Sequence, residues 1–205
     1  FNVSILSRTY SIIKKTRIFN KIVLSTDDKQ IKKIGQKTGF DLIINRNKKL
    51  SKDSIDTKTV IEDAIINLPN IKFENVCCVY PCNPLLEIKD IKKCLKLLLK
   101  NDKYFIFPVT EFTHTVDRAF KLRGKIKKIN FLKKKNANKN TQSFIKKFHD
   151  AGQFYWGKKE RWLKKGNLHT NAIGYEIPNY RCVDIDDLND WKRAKIIFKG
   201  LGKKT

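Results

Sequence analysis

Nine residues near the C-terminal end, VDIDDLNDW from Val183 to Trp191, place four acids where a divalent ion could sit. If Val183 to Asp186 is extended, Asp184 and Asp186 are two apart and share a face, while Ile185 points into the core. Two convergent carboxylates make a hard oxygen site, and magnesium takes one or two protein carboxylates, completing its shell with water and phosphate oxygens. An Asp at 186 or 187 also suits the N-cap of a helix whose inner face carries Leu188, Trp191 and Ala194. One Asp is enough for a cap, so three acids in four positions exceed what capping requires.

A second stretch, HDAGQFYWG from His149 to Gly157, runs from charged and flexible to aromatic. As a strand it puts Gln153 and Tyr155 on one face and Phe154 and Trp156 on the other, so one face can meet a ligand while its opposite seals the core. Gly152 lets backbone approach closely, and His149 and Asp150 could orient or ionise a substrate group.

These residues need a frame, and the hydrophobic pattern supplies one. KIVLS (21–25), DLIIN (41–45), VCCVY (76–80) and YFIFPV (104–109) read as strands. Between them, helical spacing recurs at Ile31 and Ile34, from Thr57 through Val60, Ile61, Ala64, Ile65 and Leu68 to a stop at Pro69, and at Ile88, Ile91, Leu95, Leu98 and Leu99. Alternation of this kind predicts βαβ units and a largely parallel sheet covered on both faces. Ligands bind such sheets at the carboxyl ends of the strands, so the loops STDD, RNKKLSKDSID and PCNP are expected at one edge. After Val109 the rhythm breaks: VDRAFKL is extended, Gly124 turns the chain, and KKKNANKNTQS is a polar loop. FYWG, a helix from Lys158, extended AIGYEI and a helix from Asp187 to Phe198 complete the pattern.

The whole chain fits one domain, residues 1–205. Its net charge of +25 raises nucleic acid as a partner, but only eight of 45 basic residues are Arg and the Lys residues are dispersed, which disfavours a dedicated nucleic-acid surface. Such charge still attracts anionic nucleotides. Five cysteines without paired C-x-x-C spacing indicate neither a disulfide framework nor a zinc site, and point to a reducing cytoplasm. No apolar run approaches a bilayer span and the start lacks a signal-peptide pattern. There is no Met, even at position 1, so Phe1 is read as other than the natural start.

HDAGQFYWG followed some thirty positions later by DIDDLNDW, with KIVLSTDD early and VCCVYPCNPLL between, closely resembles the pseudaminic acid cytidylyltransferases, relatives of the CMP-sialic acid synthetases. The resemblance covers nearly the entire chain, and HDAGQFYWG is its specific element. It implies a three-layer, Rossmann-like nucleotide-sugar-transferase α/β fold, mostly parallel, with a substrate and dimerisation subregion at 111–157. It further implies a homodimer and magnesium-dependent transfer of CMP from CTP to a nine-carbon 2-keto sugar acid, with release of pyrophosphate. By motif, Asp184 and Asp186 resemble the family's magnesium ligands, and Arg46 and Asp53 fall in its nucleotide-binding loop. Asn83 stands in a T-x-P-like loop, and Gln153 and Tyr155 fall on the sugar-facing wall. Relatives begin with a strand and a loop of the kind IPARGGSKR around the CTP phosphates, and Phe1 falls where they pass from it into their first helix, here SILSRTYSII. In KNTQSF (139–144) Gln142 is kept, but Asn140 replaces an Arg that forks onto a carboxylate. An inactive homologue that binds nucleotide or a partner is the alternative reading, as is a synthetase for sialic or legionaminic acid.

Overall fold

The computed structural model describes residues 3–52, 54–68 and 71–202. Helix α1 (Ile5–Thr16) starts at Ser4, whose hydroxyl accepts the Ser7 N–H, and is followed by β1 (Val23–Thr26), α2 (Lys29–Thr38) and β2 (Leu42–Asn45). Asp28 caps α2 by accepting the N–H groups of Gln30 and Ile31, so one of the two acids of STDD is used locally. Helix α3 (Thr57–Ile66) is capped by Asp56, and β3 (Asn75–Val79) and α4 (Ile88–Lys100) follow. Pro69, the expected stop of α3, lies outside the described residues.

Strand β4 (Phe105–Glu111) leads into an excursion: a 3-10 turn at Val116–Arg118, a hairpin of β5 (Phe120–Arg123) and β6 (Lys128–Phe131), then 3-10 turns at Lys134–Asn136 and Thr141–Ser143. The chain returns through β7 (Phe148–Asp150) and β8 (Phe154–Lys158), then α5 (Lys159–Leu163), β9 (Ala172–Glu176) and α6 (Leu188–Gly200).

The expected alternation survives in the parallel pairs β1·β2 and β4·β9. It is interrupted by β8, which runs antiparallel between β3 and β4, and by β7 on the other part of β4. The reason is the excursion, which leaves β4 at Glu111 and returns at the same end, with Phe148 across from Glu111, so that β7 and β8 run back along the sheet. Strand period two sorts the core. Phe105, Phe107, Cys78 and Tyr155 face Ile65 of α3 and Trp162 of α5. Ile106, Phe154 and Trp156 face Ile91, Cys94 and Leu98 of α4, with Ile12 of α1 against them. Helices therefore cover both faces. A third cluster joins Leu85 and Val183 to Ala194 and Phe198 of α6.

Two helix-face expectations need correction. Leu99 is 60% exposed because the buried ridge of α4 runs through Ile91, Cys94 and Leu98, and Leu99 lies one step round the helix. Leu188 is 77% exposed because α6 packs from its second turn onward.

Among the described residues no ladder joins the β1·β2 pair to β3. A cavity of about 990 Å³ lies between them, lined by Leu6 and Tyr10 of α1, Val23 and Leu24 of β1, and Cys77 and Val79 of β3. No helix among the described residues is long and apolar enough to cross a membrane.

Candidate functional site

The turn between β7 and β8 organises the site. Gly152 has φ of +59°, a left-handed conformation that favours glycine. Asp150 Oδ1 accepts the Gly152 N–H at 2.8 Å, closing a tight Asx turn, and the Gly152 carbonyl accepts Asn83 Nδ2–H at 2.7 Å. A β-carbon placed on Gly152 would stand 3.6 Å from Asp184 Oδ2, so the Asp184 carboxylate rests directly on this turn. HDAGQFYWG and VDIDDLNDW thus meet.

Residues 182–185 join no sheet ladder, so the extended strand expected there is an irregular segment. Its in-out alternation nevertheless holds: Val183 is buried, Ile185 is half-buried, and Asp184 and Asp186 are exposed. Capping falls to Asp187, which accepts the N–H groups of Asn189 and Asp190, while Asp190 accepts back from Asp187. That capping box leaves the side chains of Asp184 and Asp186 unused by the helix. No basic side chain pairs with either acid among the described residues. Partial burial pushes the Asp184 carboxyl up, and the charges of Asp186, Asp190 and Asp150 add to the effect. Burial and then the same two acids, Asp184 and Asp186, also raise the Cys82 thiol, which places the PCNP loop beside them. Two crowded carboxylates without a counter-charge fit a hard divalent cation, although no cluster of three or more potential ligand residues occurs among the described residues.

The other loops converge as expected of this sheet edge. Arg46 follows β2 and lies 3.7 Å from Asp27, whose carboxylate is held low by a hydrogen bond from Ser51 and by Arg46. The Tyr80 and Thr57 hydroxyls share a hydrogen bond, and Thr9 of α1 donates to the Pro81 carbonyl at 2.9 Å. Asp53 lies outside the described residues.

Several expected contacts turn out to be internal. Gln153 is fully buried, and its amide donates to the Arg181 carbonyl at 2.8 Å while its Oε1 has no hydrogen-bond partner among the described residues. Tyr155 is 4% exposed, and its hydroxyl donates to Asp150 Oδ2 at 2.9 Å. Asn83 is buried, with its Nδ2–H on the Gly152 carbonyl and its Oδ1 without a hydrogen-bond partner among the described residues. For Gln153 and Asn83 the covering segment is distant along the chain, whereas Tyr155 is held by Asp150 of the preceding strand. His149 Nδ1–H donates to the Asp150 carbonyl at 2.8 Å and its ring packs on Phe112. Gln142 is exposed on the Thr141–Ser143 turn, beyond the hairpin, and the loop before it is pinned by Asn136, which donates to the Asp117 carbonyl.

Sequence reasoning missed His169 and Arg181. His169 Nε2 sits 2.8 Å from Asp150 Oδ2, and Arg181 pairs with buried Asp90. A lone His in a polar loop and an Arg whose partner is 91 residues away leave no local signal.

A family model described as cytidylyltransferase matches residues 1–158. The chain is 32% identical over 185 residues to the pseudaminic acid cytidylyltransferase of Campylobacter jejuni, covering 89% of this chain and 79% of that protein. It is similar in fold to a CMP:2-keto-3-deoxy-manno-octonic acid synthetase solved with CTP, with a TM-score of 0.64 at 11% identity, covering 95% of this chain and 88% of that one. It is similar also to 4-diphosphocytidyl-2C-methyl-D-erythritol synthase from Anaerococcus prevotii, with a TM-score of 0.61 at 14% identity over 96% and 86% of the two chains.

Proposed function

The chain belongs to the cytidylyltransferase family, and we propose that it transfers CMP from CTP to pseudaminic acid, a nine-carbon 2-keto sugar acid, releasing pyrophosphate. The observation that carries this reading is the Asp184 carboxylate seated on the Gly152 turn with Asp186 beside it, neither paired with a basic side chain among the described residues. That juxtaposition joins the motif specific to the resemblance to an acid pair suited to a triphosphate-bound cation.

In the reaction the anomeric hydroxyl attacks the α-phosphorus of CTP in line with the leaving pyrophosphate, and no protein nucleophile is needed. A divalent cation, magnesium by its preference for oxygen donors, would be held by Asp184 and Asp186 and would neutralise phosphate charge. Asp187 and Asp190 fix the helix start from which those acids project. Asn83 fixes the turn beneath them. We assign Arg46 and Asp53 to the nucleotide and Gln142 to the sugar side. Residues 111–157 form the substrate and dimerisation subregion, and the working form is a homodimer in the cytoplasm, where CTP is available.

The test is pyrophosphate release by the complete gene product from CTP with pseudaminic, legionaminic or sialic acid in the presence of magnesium. Pseudaminic acid should be preferred, and Asp184→Asn or Asp186→Asn should each lower turnover about a hundredfold or more. Absence of turnover with every nonulosonic acid would reject the enzyme reading.

A further inference from the structure

Transfer of a nucleotidyl group leaves one task that the acid pair does not perform, since the attacking hydroxyl must lose its proton. Asp150 accepts three hydrogen bonds: the Gly152 N–H on Oδ1, and the Tyr155 hydroxyl and His169 Nε2 on Oδ2. Tyr155 is a donor there because burial, and then the Asp150 charge, push its phenol far up. An acceptor-only carboxylate fixes the imidazole tautomer: Nε2 carries the proton and Nδ1 presents its lone pair.

His169 is held without being buried. Its backbone N–H donates to Asn167 Oδ1 at 2.7 Å, and its ring stands edge-on to Phe107 of β4, with centroids 5.3 Å apart. The His169 side chain is 57% exposed, and no group bonds Nδ1 among the described residues. The groups facing the ring are Asp150 from β7, Phe107 from β4 and Asn167 from its own loop, with Tyr155 of β8 on the same Asp150 oxygen. Asp184 lies beyond the Gly152 turn. A base oriented and polarised by a carboxylate, with its free nitrogen open, is the arrangement that takes a proton from a hydroxyl nucleophile.

We propose that His169, held by Asp150, is the general base that accepts the proton of the attacking sugar hydroxyl. The inference rests on the cytidylyl-transfer reading above. As the hydroxyl oxygen bonds to the α-phosphorus, its proton passes to Nδ1. The bond from phosphorus to the bridging oxygen breaks, its electron pair leaves with pyrophosphate, and the imidazolium then returns the proton to water. The Asp150 carboxylate keeps the ring oriented as the proton arrives.

The experiment compares His169→Gln, His169→Ala and Asp150→Asn with wild type in the complete gene product. Turnover by pyrophosphate release, CTP affinity by calorimetry, and the pH dependence of kcat/KM are measured for each. His169→Gln should lower kcat about a hundredfold and abolish the acid limb of the pH profile, with CTP affinity changed less than about threefold. Imidazole added to His169→Ala should restore part of the rate. Wild-type turnover that persists in both His169 variants overturns the inference and leaves the parent reading standing, and so does a loss of rate that leaves the acid limb in place. A wild type that releases no pyrophosphate overturns both.

Discussion

Asp184 hangs from a backbone segment held in place by a buried arginine and its two acidic partners. Arg181 is 3% exposed, pairs with fully buried Asp90, and reaches Glu87 at 2.9 Å, while Tyr175 donates to Asp90 at 3.2 Å. The Arg181 carbonyl takes the Gln153 amide, so the strand carrying HDAGQFYWG and the segment carrying the acids are tied at one residue. Removing one member of such a pair leaves an unpaired buried charge. Arg181→Met should therefore cost about 3–5 kcal/mol of stability, read as a drop in the urea midpoint at unchanged slope. The double variant Asp90→Leu with Arg181→Met should recover much of the loss, since no charge is then stranded. A double variant as unstable as the single one would show that Arg181 contributes by packing alone.

At the scale of elements, helix ends set by side-chain caps carry the loops that form the cleft. Asp56 starts α3 just after the Arg46 loop, accepting the Thr59 N–H at 3.0 Å and the Thr59 hydroxyl at 2.9 Å. Those bonds hold its carboxyl below the ordinary Asp value. A depressed folded pKa means stability that is present above the unfolded value, near 3.9, and lost as pH falls through the folded value. Asp56→Ala should cost about 1 kcal/mol at neutral pH, and the gap from wild type should shrink on acidification below the unfolded value, as pH falls through the lowered folded one. Paired urea titrations at the two pH values check this, and a gap that widens in acid would refute it. Caps and amphipathic faces of this kind are why the elements were legible: Asp28, Asp56 and Asp187 each stand before an apolar period, and the strands end where Asp, Asn or Gly cluster. What sequence could not show is which strand ends are covered. Gln153 and Tyr155 alternate as a ligand-facing pair would, yet Arg181 closes over Gln153 from 28 positions away and Asp150, across the Gly152 turn, takes the Tyr155 hydroxyl. The meeting of Gly152 with Asp184 was legible only as two separate motifs, because contact between residues 32 positions apart depends on the antiparallel insertion of β8.

For the whole molecule, the hairpin of β5 and β6 and its neighbours set an apolar surface against a strongly basic chain. Phe120, Leu122, Ile126, Ile129 and Leu132 are all more than half exposed, and Leu122 lies directly across from Ile129 in the ladder. A concentration of exposed apolar side chains on a two-stranded arm is unstable in water unless covered, and two copies of the same arm can cover one another. The net charge of +25 opposes that association, so salt should favour it by screening repulsion between copies. The proposed homodimer should therefore tighten as ionic strength rises, as expected of apolar contact and opposite to a dimer held by ion pairs. Leu122→Lys with Ile129→Glu keeps an opposite-charge pair across the ladder, which preserves the hairpin while removing its apolar face. In sedimentation velocity this variant should run as a monomer at concentrations where the wild type is dimeric, with the far-ultraviolet circular dichroism unchanged. A variant that remains dimeric would move the interface off this arm, and a wild type that is monomeric at every salt concentration would remove the dimer altogether.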